Sequence, residues 1–225
     1  MTQSGDSKSA QVILALRHAG ISVVAAPIPL TSLDDDVAAL VRVIDRTDGP
    51  VLLVGHAYAG AVIGAAAHAR VRGLVYIAAL APDDGETIAD MFYREPPQGE
   101  TPEPAPGADG YIWLPHDAFN SAFAQHASSD EQAVLAATQR PIHVSCIQKP
   151  VLRPQWHTCP TWYLVAGNDR MINPSTQAFM AERMNARQYR HPTDHAPLIT
   201  EPGIVVDVIR GAAESIARQA VPGNG

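Results

Sequence analysis

The chain has 225 residues, of which 46% are hydrophobic and 17% are charged, and these values predict one folded domain with a substantial core. A formal net charge of −7 without any Lys/Arg cluster argues against binding to nucleic acids or other polyanions, and we expect no membrane association. The N-terminus has no signal-peptide pattern and the longest apolar run is too short to span a bilayer, so we expect a cytoplasmic location. Cys146 and Cys159 fit a reducing compartment and make a poor metal site, and we expect no disulfide, metal or cofactor.

Helix and strand signals alternate along most of the chain. Ser9 is predicted to cap a helix that ends at His18, and Ser32 with the three acidic residues after Leu33 begins a second helix. The five predicted parallel strands are at residues 21–26, 51–54, 74–78, 161–165 and 187–191. The continuous apolar strands are typical of a parallel sheet with helices on both faces, so the pattern predicts a doubly wound α/β domain.

Residues 51–64 describe an apolar strand that passes through a tight turn into a helix of small residues. The turn has the form of the G-x-S-x-G nucleophile elbow, in which a strained middle residue exposes a serine hydroxyl. Here the middle residue is Ala57, and Ala59 replaces the second glycine. A methyl group can neither be deprotonated nor attack a carbonyl. The backbone N–H of Tyr58 remains as an oxyanion donor, because it does not depend on side-chain identity.

An acid and a histidine follow the elbow in chain order. Asp169 lies in a Gly-Asn-Asp turn directly after a predicted strand, and His195 lies in a loop before the closing helix. The order elbow, acid, histidine distinguishes α/β-hydrolases from other serine-hydrolase folds. Asp169 alone could be a turn former and His195 an ordinary loop histidine, but their positions relative to the elbow favour a catalytic pair.

The chain resembles the α/β-hydrolase superfamily, in the small-esterase branch that includes plant hydroxynitrile lyases and salicylate-ester esterases. The resemblance covers residues 9–215 and rests on six segments in order: Pro-Leu-Thr-Ser-Leu at 29–33, the elbow, residues 74–86, the Asp169 turn, residues 179–183 and the His195 loop. It implies an α/β-hydrolase fold with a mostly parallel sheet, helices on both faces and a small cap. The expected organisation is a single domain over residues 1–225, with the cap inserted at approximately 83–158.

The same resemblance implies catalytic positions at Ala57, Asp169 and His195, with the Tyr58 N–H in the oxyanion hole. It implies a small-molecule substrate or ligand, either a carboxylic ester or a related carbonyl compound. Tyr111, Trp113, Phe119 and Phe123 are candidates to line an apolar pocket under the cap, within a region where residues 118–138 look helical. The alternative is that these aromatic rings only pack the cap against the core.

The chain departs from the family at its N-terminus as well as at Ala57. Residues 1–9 are polar, whereas the family has an apolar strand that ends in a His-Gly loop and supplies half of the oxyanion hole. That strand normally lies between the strands predicted at 21–26 and 51–54. We therefore expect the sheet to lack its N-terminal strands and to contain a seam of unpaired backbone groups, unless a neighbouring chain of a homodimer fills it.

Three functional hypotheses follow from these departures. The first is a protein that binds a small, mostly apolar carbonyl or hydroxyl compound without turnover. The second is a serine esterase whose sequence is altered at Ala57 and at its start. The third keeps His195 and Asp169 as a base that activates water or removes a substrate proton directly. Because loss of a nucleophile costs on the order of a millionfold in turnover, we expect ester hydrolysis by this chain to be very weak or absent.

Overall fold

The computed structural model describes residues 7–96 and 105–220, and within these ranges six strands form two sheets. The strands are β1 (Val51–Ala57), β2 (Val71–Ala79), β3 (Tyr111–Ile112), β4 (Ile142–His143), β5 (Thr161–Ala166) and β6 (Arg187–His191). The main sheet is parallel, in the order β1-β2-β5-β6, while β3 and β4 form a small antiparallel pair. The predicted α/β architecture with a parallel sheet is therefore confirmed.

Helices cover both faces of the parallel sheet. They are α1 (Ser7–His18), α2 (Leu33–Asp45), α3 (Ala59–Ala65), α4 (Ile88–Phe92), α5 (Ser129–Thr138), α6 (Ser145–Gln148), α7 (Pro174–Arg183), α8 (Pro197–Thr200) and α9 (Pro202–Ala220). A π-helical turn at Phe119–Phe123 and a 3-10 turn at Gln155–His157 complete the helical elements of the described ranges. None of these helices is long and apolar enough to cross a membrane.

The two faces of the sheet pack into separate apolar clusters. Along β2, Leu74 and Tyr76 belong to the cluster beneath α2 and α3, whereas Val75 and Ile77 belong to the cluster beneath α1 and α9. Alternate residues of a strand point to opposite faces, so a strand buried on both sides must be apolar at every position. This explains why residues 74–79 of β2 and 162–166 of β5 form uninterrupted apolar runs.

The predicted strand at residues 21–26 is wrong, and the parallel sheet has four strands rather than five. The segment is not paired with β1, and Val24 is 62% exposed. The segment has the apolar composition of a strand, but a strand also needs a neighbour whose backbone can complete its hydrogen bonds. A cavity of about 690 Å³ separates the segment from β1, so that neighbour is missing among the described residues. The expected gap in the sheet is therefore present; residues 1–6 lie outside the described ranges.

The region between β2 and β5 lies over the carboxyl ends of the strands. The helix predicted across residues 118–138 is divided, because Ser128 begins α5 as a new helix through a capping box with Glu131. The β3–β4 pair is joined to the rest of the domain by a hydrogen bond from His143 N–H to the Leu30 carbonyl. The cap boundaries at 83 and 158 stay a prediction.

Candidate active site

The elbow keeps its strained shape although it has no hydroxyl. Ala57 ends β1 with φ at 50°, in the left-handed region that costs a non-glycine residue about 1–2 kcal/mol. A Cβ on Gly55 would lie 2.6 Å from the Ala59 carbonyl oxygen, and a Cβ on Gly60 would lie 2.4 Å from the Leu80 carbonyl oxygen. Gly60 lies one position beyond the second glycine of the usual motif. Its lack of a side chain allows α3 to approach the end of β2 closely, a role that the motif does not predict.

The acid and the histidine meet as the chain order predicts. The Nδ1 atom of His195 lies 2.8 Å from Oδ2 of Asp169, and both side chains are buried, at 3% and 0% exposure of the residues. Oδ1 of Asp169 accepts backbone hydrogen bonds from Met171 at 2.7 Å and Ile172 at 2.9 Å, while Oδ2 also accepts from the Gln177 amide at 2.7 Å. The carboxylate is thus held by four donors and can orient the imidazole without moving.

The loop that carries His195 is fixed by its neighbour in the sequence. Asp194 is fully buried; its Oδ1 accepts from the Thr200 hydroxyl at 2.7 Å and from Ala196 N–H at 3.2 Å. Its Oδ2 accepts from the backbone N–H of His126 at 2.9 Å, which ties the loop to the region over the sheet. Sequence reasoning missed both Asp194 and Gln177, because nothing in a single sequence separates a buried supporting polar residue from a solvated one.

His56 is hydrogen-bonded to the backbone of His195 and is neutral. Its Nε2 lies 2.6 Å from the His195 carbonyl oxygen, so the nitrogen must carry the proton and donate it to that oxygen. Burial, together with the charge that His195 can carry, lowers the pKa of His56 to about 3. This geometry makes His56 a structural support of the His195 backbone rather than a catalytic residue.

Tyr58, the residue after Ala57, is hydrogen-bonded to a buried carboxylate. The Tyr58 hydroxyl donates to Oδ2 of Asp36 at 2.7 Å, and the Leu30 backbone N–H donates to Oδ1 at 2.7 Å. Burial raises the pKa of Asp36. The Cys146 thiol lies 3.8 Å from the same carboxylate, and burial raises its pKa to about 11, so it stays protonated and unreactive. This network fixes Tyr58, whose backbone N–H is the candidate oxyanion donor.

An apolar cavity of about 250 Å³ opens beside Ala57 and His195. Its walls are mostly aliphatic and aromatic, including Ile88, Phe92, Phe119, Phe123, Leu135 and Ile147. The Phe123 ring packs edge-on against the imidazole of His195, with 5.2 Å between ring centroids. Of the four aromatic candidates, Phe119 and Phe123 line the cavity. Tyr111 and Trp113 do not, and Trp113 is 53% exposed.

The bond from Nδ1 to Asp169 leaves Nε2 of His195 as the atom that can exchange a proton with a bound molecule. The floor of the cavity at position 57 offers only a methyl group. Within residues 7–96 and 105–220, no group of three or more His, Cys, Asp or Glu side chains could hold a metal ion. The arrangement is suited to proton transfer, and residue 57 carries no hydroxyl or thiol that could attack a substrate.

Comparison with known proteins places this geometry in a family. A model of the alpha/beta hydrolase family matches residues 7–208. The chain is also similar to a curated protein, alpha/beta hydrolase nvfD of Aspergillus novofumigatus (strain IBT 16806). The two are 25% identical over 203 residues, which cover 82% of this chain and 80% of that protein.

Solved structures give the same architecture. A pyrethroid hydrolase from Sphingobium faniae JZ-2 has a TM-score of 0.80 at 18% identity, with 94% of both chains covered. A mutant of polyneuridine aldehyde esterase has a TM-score of 0.76 at 15% identity, with 92% of this chain and 93% of that one covered. A variant of tomato methylketone synthase I, complexed with β-ketoheptanoate, has a TM-score of 0.76 at 14% identity, with 93% of each covered. At such identities the likeness shows the fold alone, and the predicted α/β-hydrolase fold is confirmed.

Proposed function

Since the chain belongs to the alpha/beta hydrolase family, we propose that it acts on a small, largely apolar carbonyl compound by direct proton transfer through His195, without a covalent intermediate. The observation that carries the proposal is the buried pair of His195 and Asp169 beside an apolar cavity in which Ala57 replaces the nucleophile. This is the nucleophile-independent hypothesis of the sequence analysis, and the cavity defines the kind of ligand it requires.

The proposed chemistry uses only groups that the site contains. Nε2 of His195 takes up or gives a proton in the cavity, and Asp169 stabilises the imidazolium through its bond to Nδ1. The backbone N–H of Tyr58 would donate to the carbonyl oxygen of the bound compound as negative charge develops there. Exclusion of water by the apolar walls strengthens both interactions, because charges interact more strongly in a medium of low polarity.

Ester hydrolysis through an acyl-enzyme is not open to this site. A triad without its nucleophile keeps only about 10³- to 10⁴-fold acceleration over water, and loss of one oxyanion donor removes about 10²- to 10³-fold of that. Little acceleration then remains. A reaction that forms no covalent bond to the protein does not need the nucleophile, so the loss of the nucleophile does not slow it.

A β-keto acid is a suitable probe for such a reaction. The tomato methylketone synthase variant was solved with β-ketoheptanoate, which joins a short apolar chain to a ketone and a carboxylate. Loss of carbon dioxide breaks the bond between the carboxyl carbon and the α-carbon, and the electron pair moves to the ketone as an enolate. The Tyr58 N–H would stabilise the enolate oxygen, and His195 would return a proton to the α-carbon to give a methyl ketone.

The test measures methyl ketone released from β-ketoheptanoate by gas chromatography, with the uncatalysed reaction subtracted. Wild type is expected to exceed the uncatalysed rate, and His195→Ala is expected to lose about 10²- to 10⁴-fold, the range for a general acid or base. His157→Ala is the matched control, since His157 is exposed, bonds Asp83 at 2.7 Å and does not line the cavity. It should keep the wild-type rate.

Other outcomes would replace the proposal. If β-ketoheptanoate binds by calorimetry but wild type and His195→Ala release ketone equally, the protein binds its ligand without turning it over. If wild type hydrolyses p-nitrophenyl acetate faster than it decarboxylates the keto acid, and His195→Ala does not, the dyad instead activates water.

A further inference from the structure

The cavity beside Ala57 and His195 has one permanently charged side chain in its walls. Among the described residues that line it, Arg140 is the sole Lys, Arg, Asp or Glu, and the walls are otherwise apolar or neutral polar apart from the imidazole of His195. A guanidinium is protonated at every physiological pH, so Arg140 brings a full positive charge to the boundary of an apolar space. Such a charge is costly unless an opposite charge accompanies it.

Local structure holds Arg140 at this position. Gln139, directly after α5, has an extended backbone with φ −55° and ψ 146°. Its side-chain amide bonds both backbone groups of Leu114, because Oε1 accepts from the N–H at 3.1 Å and Nε2 donates to the carbonyl at 3.1 Å. Pro141 follows Arg140 and disfavours a helical conformation there. The segment that carries the guanidinium is therefore anchored next to the cavity.

The guanidinium of Arg140 has no acidic partner in the described part of the chain. Its Nη2 donates to the Pro29 carbonyl at 3.3 Å, and the ion pairs of the described residues do not include it. Arg183 differs, because both of its terminal nitrogens bond Glu86, at 2.9 and 2.7 Å. Arg140 is half-buried and keeps most of its five N–H donors available to a ligand.

The neighbouring polar side chains of the cavity have no donor left for an anion. The Thr138 hydroxyl donates to the Val134 carbonyl at 2.7 Å. The amide of Gln139 donates to the carbonyls of Leu114 and Ala136, at 3.1 and 3.4 Å. An anion at this end must therefore be satisfied by the guanidinium itself. The two oxygens of a carboxylate match its planar fork, whereas a phosphate group has a further oxygen and more charge to satisfy.

We propose that Arg140 determines the specificity of this cavity by binding the carboxylate of the substrate, which is then a short apolar carboxylic acid with a carbonyl group that reaches His195. The inference rests on the proposed function, because it names the substrate class of the same site. The volume of about 250 Å³ is below the roughly 300–1,000 Å³ of sites for drug-sized ligands, which favours a short chain. Arg140 acts in binding, and proton transfer stays with His195.

The experiment compares heptanoate with heptanamide, which has the same chain and a neutral end group of similar shape. Neither compound contains a ketone, so binding is measured without turnover. Calorimetry with the full chain gives the dissociation constants at about pH 7.5, where the carboxylate is ionised. We expect the wild type to bind heptanoate at least about tenfold more tightly than heptanamide, as a hydrogen bond between charged groups allows.

Two arginine variants of equal charge change separate contact from net charge. Arg140→Gln should abolish the preference for heptanoate. Arg190→Gln is the matched control, because Arg190 is exposed on β6 and does not line the cavity, and it should keep the wild-type ratio. Arg140→Lys keeps the charge without the planar fork and should retain part of the preference. Arg140 makes one long hydrogen bond, so we expect its variants to fold, which circular dichroism and thermal unfolding check.

These measurements also separate the inference from the proposed function. A preference for heptanoate that depends on Arg140, in a protein without His195-dependent release of methyl ketone, would keep the carboxylate site and end the proposed proton transfer. His195-dependent release of methyl ketone without any preference for heptanoate would keep the proposed function and end the role of Arg140.

Three further results would overturn the inference. A preference that survives Arg140→Gln and disappears in His195→Ala would place the anion at the imidazole. An equal loss in Arg190→Gln would mean that the net charge of the protein, and not a contact in the cavity, attracts the anion. Tighter binding of heptyl phosphate than of heptanoate would assign the guanidinium to a phosphate group.

Discussion

Replacing Ala57 by serine tests whether the elbow, His195 and Asp169 still form a working catalytic geometry. Alanine and serine both carry a Cβ, so the left-handed backbone at φ 50° is equally strained with either residue. The added hydroxyl enters the cavity that His195 also lines. We therefore expect Ala57→Ser to fold as the wild type does, with a stability change within about 0.5 kcal/mol.

The size of the expected rise in ester hydrolysis depends on which catalytic groups Ala57→Ser restores. Restoring a nucleophile to a triad recovers on the order of 10⁶-fold in turnover. The Tyr58 N–H is the candidate oxyanion donor, and a site in which it acts alone is slower by about 10²- to 10³-fold than a site with two donors. That loss lowers the rates of wild type and Ala57→Ser alike and cancels from their ratio, so we expect ester hydrolysis to rise by up to about 10⁶-fold in Ala57→Ser.

The assay is p-nitrophenyl acetate turnover by wild type, Ala57→Ser, and Ala57→Ser combined with His195→Ala. The double variant should return to the wild-type rate, since the serine hydroxyl then has no base. A rise that survives the loss of His195 would show that the signal is not triad chemistry, and the roles proposed for His195 and Asp169 would have to be withdrawn. An absent rise in a folded Ala57→Ser would mean that one oxyanion donor is not enough.

Three further predictions concern the groups that hold the site. Gly60→Ala should lower the melting temperature by several degrees, because its Cβ would lie 2.4 Å from a carbonyl oxygen and overpacking costs about 1–3 kcal/mol; Gly203→Ala, with nothing within 4 Å, should not. His56 should show no protonation by NMR between pH 5 and 8. Its pKa falls from 6.5 unfolded to about 3 folded, so the unfolded chain binds the extra proton and the free energy of unfolding should fall as pH drops below 6.5. The pKa of Asp36 is raised in the folded state, so its stabilising contribution is complete below pH 3.8 and is lost as the pH rises through the folded pKa. Denaturant unfolding should therefore show that Asp36→Asn becomes more stable relative to the wild type as the pH rises. A difference in free energy of unfolding between the two proteins that does not change with pH would contradict this.

The candidate site could be located from the sequence because each of its residues lies at the end of a predicted strand or in the loop after it. Ala57 is the last residue of β1, Asp169 follows β5 and His195 follows β6, and parallel strands bring their carboxyl ends to one edge of the sheet. The pairing of His195 with Asp169 could therefore be anticipated from order alone. The resemblance to the α/β-hydrolase superfamily is confirmed by the family match over residues 7–208.

The sequence could not reveal what depends on a missing or distant neighbour. Residues 21–26 are mostly apolar and β-branched, as in a buried strand, yet whether they pair is decided by the chain beside them and not by their own side chains. Gln177 and Asp194 support the pair from other elements, and their buried hydrogen bonds leave no local pattern. Propensity and periodicity report local preference, and these features are set by tertiary contacts.

The bend at Ala57 is imposed by the fold and not by the side chain it carries. The Ala57 carbonyl accepts a hydrogen bond from Leu80 N–H at 3.0 Å, and the close contacts of Gly55 and Gly60 hold strand and helix together on either side of it. A residue at this position bears the same strain whether or not it has a hydroxyl. The identity of residue 57 can therefore change without disturbing His195 or Asp169, whose partners lie elsewhere. A site built in this way can lose covalent catalysis in a single substitution and keep an oriented imidazole facing an apolar cavity, which is what proton transfer without a nucleophile requires.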